Sequence, residues 1–246
     1  MDKRKKYFMI VDTETTNGID CPLFYDFGFR IVDKKNNVMV EKSFILKDIF
    51  YEEEKLMETA YYNFKIQLYK KMIKYKEIET INILDLFFYI RNIMKNYNVK
   101  EVYAYNASFD LKALNNTLRY ITKSQYRYFF PYGTEIYCIQ HMACQVLYTQ
   151  KTFLKTAFVN KWETAKGNVS VTAEIGYKYI SNNIDFFESH TALEDVKIEQ
   201  EILDRCFRQH KKMSKKINRS CWRIPQKDYK EIKIHNAKTH PLTDFL

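Results

Sequence analysis

The stretch FMIVDTETTNG, residues 8–18, runs four apolar side chains straight into Asp12 and Glu14. Residues i and i+2 of a strand point to the same face, so a strand over 7–12 projects Asp12 and Glu14 side by side at its C-terminal end. Two carboxylates that close repel, and either one takes up a proton or a cation lies between them. The plainer alternative is a pair of solvated acids in a loop after a strand.

Working outward, FYDFGFRIV (24–32) and VMVEKSFIL (38–46) read as two further strands joined by the turn-like DKKNN, which gives an antiparallel meander. In 48–76, Tyr61, Phe64, Leu68, Met72 and Tyr75 recur at helical spacing. This predicts an amphipathic helix that covers the core, with a lid over a site as its other role. Then come a helix over 80–97, a short strand over 101–105 and a helix over 106–121, the rhythm of an α/β sheet. A short strand or turn leads into a helix over 135–148, and 169–180 and 190–207 read as two more helices. From 208 the periodicity fades and Pro225 and Pro241 appear. The expected organisation is a domain over 1–207, with a helical insertion at about 48–80, and a basic extension over 208–246, partly ordered around Trp222.

The chain has 246 residues, 46% of them hydrophobic, and a net charge of +10. Eleven Lys and Arg against three Asp and Glu between 208 and 246 concentrate that charge in the extension. A nucleic acid backbone and a solvated terminus both account for such a segment. The 20 Tyr and 18 Phe offer stacking surfaces for bases, or reflect a biased coding composition. Five cysteines without a C-x-x-C pair fit reduced thiols and a cytoplasmic location. The apolar run after the basic head is too short for a signal peptide, and no stretch approaches the ~20 apolar residues of a membrane span. No G-x-S-x-G elbow or P-loop supports a serine hydrolase or an NTPase.

Two further segments supply acids. In NASFD, Asn106 is a good N-cap, which places Asp110 in the first turn of a helix, where the helix dipole also favours it. In SHTALED, Thr191 and Glu194 match a capping box, so that His190 and Asp195 take the N′ and N4 positions, which approach one another. Asp12, Glu14, Asp110 and Asp195 are thus four carboxylates at ends of elements that an α/β sheet can gather on one edge. Hard oxygen ligands suit Mg²⁺ or Mn²⁺, and two such ions about 3.5 to 4 Å apart can activate a water and stabilise the leaving oxygen of a phosphodiester. His190, of a residue type with a pKa of about 6.5, would remove the proton from that water. Cys138, His141 and Cys144 also have metal-like spacing, but on a helix they fan out without converging and have no evident fourth partner.

DTETT, NASFD and HTALED, in this order, resemble the three motifs of the DEDDh (DnaQ-like) 3′–5′ exonucleases, over about residues 7–205. The resemblance implies a ribonuclease H-like fold, a mixed β-sheet of antiparallel meander and parallel strands flanked by helices. It implies two divalent cations, Mg²⁺ or Mn²⁺, held by Asp12, Glu14, Asp110 and Asp195, with His190 as general base. It suggests Thr15, Thr16, Asn106 and Phe109 as residues that hold the terminal nucleotide. The implied substrate is a single-stranded 3′ end, DNA favoured, with a polymerase or other replication protein as a candidate partner and no membrane. An RNA-trimming or short-oligonucleotide enzyme and a non-catalytic accessory module stay open. Two features depart from the family pattern: Tyr105 stands where many members carry a His, and Asn17 separates the threonines from Gly18.

Overall fold

The computed structural model describes residues 6–239. Strands β1 (Tyr7–Thr16), β2 (Leu23–Asp33) and β3 (Val38–Leu46) form the antiparallel meander, β4 (Glu79–Ile81) runs parallel to β3, and β5 (Glu101–Ala104) runs parallel to β1. With β6 (Glu135–Cys138) they make one mixed sheet in the order β4-β3-β2-β1-β5-β6. β1 and β2 are buried almost throughout, since both of their faces are covered. On the face that carries Phe27 and Phe29, these rings meet Phe129 at 5.7 Å and Tyr89 at 6.4 Å, beside α4 (Ile83–Asn96) and α5 (Ala107–Thr122). β4 had no strand signal of its own, being three residues long.

The insertion differs from the single helix expected. It breaks into α1 (Lys47–Phe50), α2 (Glu54–Met57), a 3₁₀ turn at Asn63–Lys65 and α3 (Ile66–Lys74). Side chains compete with the helical ladder here. The Leu56 carbonyl accepts the hydroxyls of Thr16 and Thr59, and the Glu58 carbonyl accepts the Asn63 amide at 3.1 Å. The expected core stripe is also turned round, since Tyr61, Phe64, Leu68 and Tyr75 are exposed and Tyr69 is the buried anchor.

Contacts divide the chain into two compact units: the first runs through 137 and takes up 188–200, and the second comprises 138–187 and the residues from 201 onward. The second contains α6 (Ile139–Val146), α7 (Lys151–Val159), which had not been read from the sequence, and α8 (Ala173–Ser181). It also contains the C-terminal part of α9 (Ala192–Phe207) and α10 (Gln226–Thr239). The expected boundary at 207/208 is therefore not where contacts divide the chain. The Gln226 amide pairs with both the N–H and the C=O of Val169, at 2.8 and 3.1 Å, and Tyr229 is buried with its hydroxyl on Glu163 at 2.6 Å. This anchoring stripe of Cys221, Pro225, Gln226 and Tyr229 contains no Leu, Ile, Val or Met, which is why the periodicity looked lost. His141 Nδ1 lies 2.6 Å from the Lys216 carbonyl oxygen. Residues 1–5 of the basic head and 240–246 of the extension, Pro241 among them, lie outside the described residues. No helix among the described residues is long and apolar enough to cross a membrane.

Candidate active site

The acids of β1 meet their surroundings through strand register. Asp12 lies opposite Gly28 and Glu14 opposite Asp26, so all four positions share one face, and the register shifts just after Glu14. Gly28 is where α9 begins to cross that face. A Cβ at position 28 would lie 2.5 Å from the Leu193 nitrogen and closer still to the Ala192 carbonyl, so only glycine lets the helix start settle over Asp12. Asp26, fully buried, accepts hydrogen bonds from Ala192 N–H at 3.0 Å, Tyr69 Oη at 2.8 Å and Ser43 Oγ at 2.9 Å.

These contacts fix the start of α9, which carries Asp195 and follows His190. Thr191 directly precedes the helix and its carbonyl accepts the Asp195 N–H at 3.0 Å, but Glu194 turns to Lys197 and does not close the expected capping box. His190 adopts a left-handed φ of 51°, and its backbone N–H bonds the Asp195 carboxylate. The imidazole stacks on Tyr62 at 4.3 Å and 15°, and its Nδ1 lies 3.6 Å from a Glu188 oxygen. Lys65 donates to the carbonyls of Ser189 and, at 3.0 Å, His190, with its ammonium 4.6 Å from the Tyr62 ring centre. The insertion is thus built against the histidine.

Glu14, His190 and Asp195 each offer a ligand atom within 4.8 Å of the others. Asp110, in the first turn of α5, is outside that group; it is buried, with Thr13 Oγ1 donating to it at 2.9 Å. Glu199, one turn beyond Asp195 on α9, is buried as well. Burial, compounded by Asp110, Glu199, Asp195 and Glu14, pushes Asp12 well above the usual carboxylate range. Burial and then Asp195 raise Glu14 to about 9, burial and then Glu188 raise Asp195 to about 8, and burial raises Asp110 to about 7 against the Thr13 hydrogen bond. Glu199 is raised by burial and the same neighbours. Asp195 Oδ1 and Glu199 Oε2 are buried with no hydrogen-bond partner among the described residues. Buried carboxylates with unused oxygens require protons or a cation, and a hard divalent cation fits this donor set.

The residues expected to hold a nucleotide are not part of the Glu14–His190–Asp195 group. Thr15 is half-buried, and Thr16 is buried with its hydroxyl on the Leu56 carbonyl. Asn106 is exposed ahead of α5 with no side-chain cap, and half-buried Phe109 bonds back through its N–H to the Asn106 carbonyl at 2.7 Å. Sequence reasoning missed Asp26, Glu188, Glu199, Tyr62 and Lys65. Glu199 was legible as the residue four beyond Asp195, and Asp26 as an acid inside an apolar strand. Tyr62 and Lys65 carried no signal because their partners lie more than a hundred residues away.

No sequence-family model and no curated relative matches the chain. Among solved structures, a full-length 3′-exonuclease superposes with a TM-score of 0.53 at 12% identity, covering 85% of this chain and 84% of that one. E. coli Exonuclease I in complex with a dA16 oligonucleotide superposes with a TM-score of 0.51 at 15% identity, covering 80% of this chain. This chain has the ribonuclease H-like fold of these exonucleases. It spans 40% of the Exonuclease I chain, and in a product-bound structure of exonuclease I the TM-score is 0.50 at 16% identity. Within this fold the acids of β1, α5 and α9 lie towards strand ends and helix starts.

Proposed function

We propose that this chain is a divalent-metal-dependent 3′–5′ exonuclease that removes nucleoside 5′-monophosphates from single-stranded nucleic acid, DNA in preference to RNA. The observation that carries the reading is the convergence of Glu14, His190 and Asp195, with half-buried Asp12 on the same strand face as Glu14 and buried Asp110 at the start of α5, on a fold shared with exonucleases. The preference for DNA is supported by the oligonucleotide in the neighbour bound to dA16.

Asp12, Glu14, Asp110 and Asp195 would hold two Mg²⁺ or Mn²⁺ ions, and Glu199 supports them from α9. Such ions, when bound, lower the pKa of a water and offset charge on the leaving oxygen. His190 takes the proton of the attacking water as the new O–P bond forms and the P–O3′ bond breaks. The electron pair of the broken bond leaves with the 3′ oxygen of the shortened strand. Tyr62 and Lys65 hold the histidine from the insertion: the ring by stacking, the backbone carbonyl by a hydrogen bond. Asn106 and Phe109, at the exposed start of α5, are the contacts proposed for the terminal nucleotide, together with Thr15 and the buried Thr16.

Matched DNA and RNA strands, labelled at the 5′ end or the 3′ end, test polarity and sugar preference together. The 5′-labelled DNA should give a descending ladder while the 3′ label is released at once as a mononucleotide. Immediate release of the 5′ label would overturn the polarity, and faster loss of RNA would make the enzyme an RNA trimmer.

A further inference from the structure

Along α5 from Leu111 to Asn115, the first unit carries a second feature that the proposed chemistry does not use. Two cavities of about 680 and 330 Å³ share Arg91, Pro131, Tyr132 and Thr134 and so adjoin, making a groove along α4, α5 and the loop that follows α5. The larger volume lies within the usual range for ligand sites. Leu111, next to Asp110 in sequence, lines the groove. No Asp or Glu lines either cavity, whereas Arg91, Arg127, Lys95 and Lys100 do.

Three features define the occupant. Tyr126 and Tyr132 are almost wholly exposed and Tyr128 is 62% exposed, which is unusual for so many rings around one cavity. The rings stand beside cations: Arg119 lies 4.9 Å from the Tyr128 ring centre, and Arg91 lies 4.2 Å from that of Phe87. Arg91 donates to the Tyr128 and Phe130 carbonyls at 2.9 and 3.1 Å, yet its Nε is buried with no hydrogen-bond partner among the described residues. Flat rings that stack on any base, interleaved with cations that have no acidic partner among the described residues, match the chemistry of a single strand, with bases on the tyrosines and phosphates on the arginines.

We infer that this groove binds a segment of single-stranded nucleic acid upstream of the end being cut. The inference rests on the exonuclease reading for its substrate, and it assigns the groove to affinity for long strands, not to hydrolysis. The test uses the full chain and fluorescent 20-nucleotide DNA in EDTA, where binding is read without cleavage, alongside hydrolysis of a dinucleotide with Mn²⁺. The exposed pair Tyr126→Ala/Tyr132→Ala should weaken 20-mer binding tenfold or more and leave dinucleotide hydrolysis unchanged. Arg127→Gln, also at an exposed position, should lower the slope of log affinity against log salt by about 0.7. Weakening of less than threefold by the tyrosine pair overturns the inference. So does binding of a polyglutamate peptide that the same substitutions abolish, since the groove would then take an acidic protein segment. If the wild-type chain cleaves nothing yet binds the 20-mer through these tyrosines, the hydrolytic reading falls and the groove stands.

Discussion

The carboxylate of Asp26, in the interior of β2, accepts the backbone N–H of Ala192, the first residue of α9, at 3.0 Å. The same carboxylate holds Tyr69 of the insertion and Ser43 of β3. One buried acid therefore ties the sheet, the insertion and the helix that bears Asp195 together, and Asp26 is a positioning residue for the site. Asp26→Ala would orphan buried donors at ~1–3 kcal/mol each, lowering Tm by roughly 5 °C or more. Asp26→Asn keeps an oxygen for Tyr69 and Ala192 and an amide for Ser43. It should therefore retain most of the stability and hydrolysis that the alanine variant loses, as thermal melts and kcat would record.

Gly28 makes the second demand on α9. Gly28→Ala drives a methyl into the Ala192–Leu193 peptide, so the helix start must lift from the sheet. Overpacking of this kind costs about 1–3 kcal/mol, and a shift of ~1 Å at Asp195 is enough for a hundredfold loss of rate. The expected outcome is a folded, less stable protein whose kcat falls far more than its Tm; an unchanged kcat would contradict the packing argument.

Stacking on Tyr62 orients His190. Tyr62→Phe keeps the ring and should leave kcat within about twofold of wild type. Tyr62→Ala removes a contact of about 0.5–1.5 kcal/mol and should lower kcat by roughly three- to tenfold. Equal losses in the two variants would shift the role from the ring to the hydroxyl.

The acids give the metal-free protein a pH dependence of known sign. Glu14, Asp195 and Asp110 bind protons more tightly in the folded state, with pKa values of about 9, 8 and 7, than in an unfolded chain, where carboxyls titrate at about 4. Between these limits the folded state holds more protons, so stability is greatest at the acid end of the window and falls as pH rises. Melting in EDTA should show Tm dropping from pH 5.5 towards pH 9. Added Mn²⁺ should restore it most at the alkaline end, since the cation replaces the protons.

Much of this arrangement was legible before any fold was known. The alternation that puts Asp12 and Glu14 on one face is a local rule of spacing that holds in the structure, and His190 and Asp195 lie close together although the capping box from which this was read does not close. The insertion was misread because Thr16 and Thr59 take a helical carbonyl, a contact set by tertiary placement, and because its aromatic stripe turned outward. In the segment from 208, order was expected only around Trp222; the helix that follows it was not legible because glutamine and tyrosine are among its anchors. Lys65 and Tyr62 illustrate the same limit at the site, since only the folded chain brings them to His190.

The central claim, that the buried acids are a divalent-cation site that drives strand hydrolysis, is tested most directly by one comparison of rates. Wild-type, Asp12→Ala and Asp195→Ala proteins would each be given 5′-labelled single-stranded DNA with Mn²⁺ or with EDTA. The expected result is shortening from the 3′ end by the wild type with Mn²⁺ alone, and at least a hundredfold slower shortening by both variants while their melts stay cooperative. Full hydrolysis in EDTA, or wild-type rates in the two variants, would contradict the account.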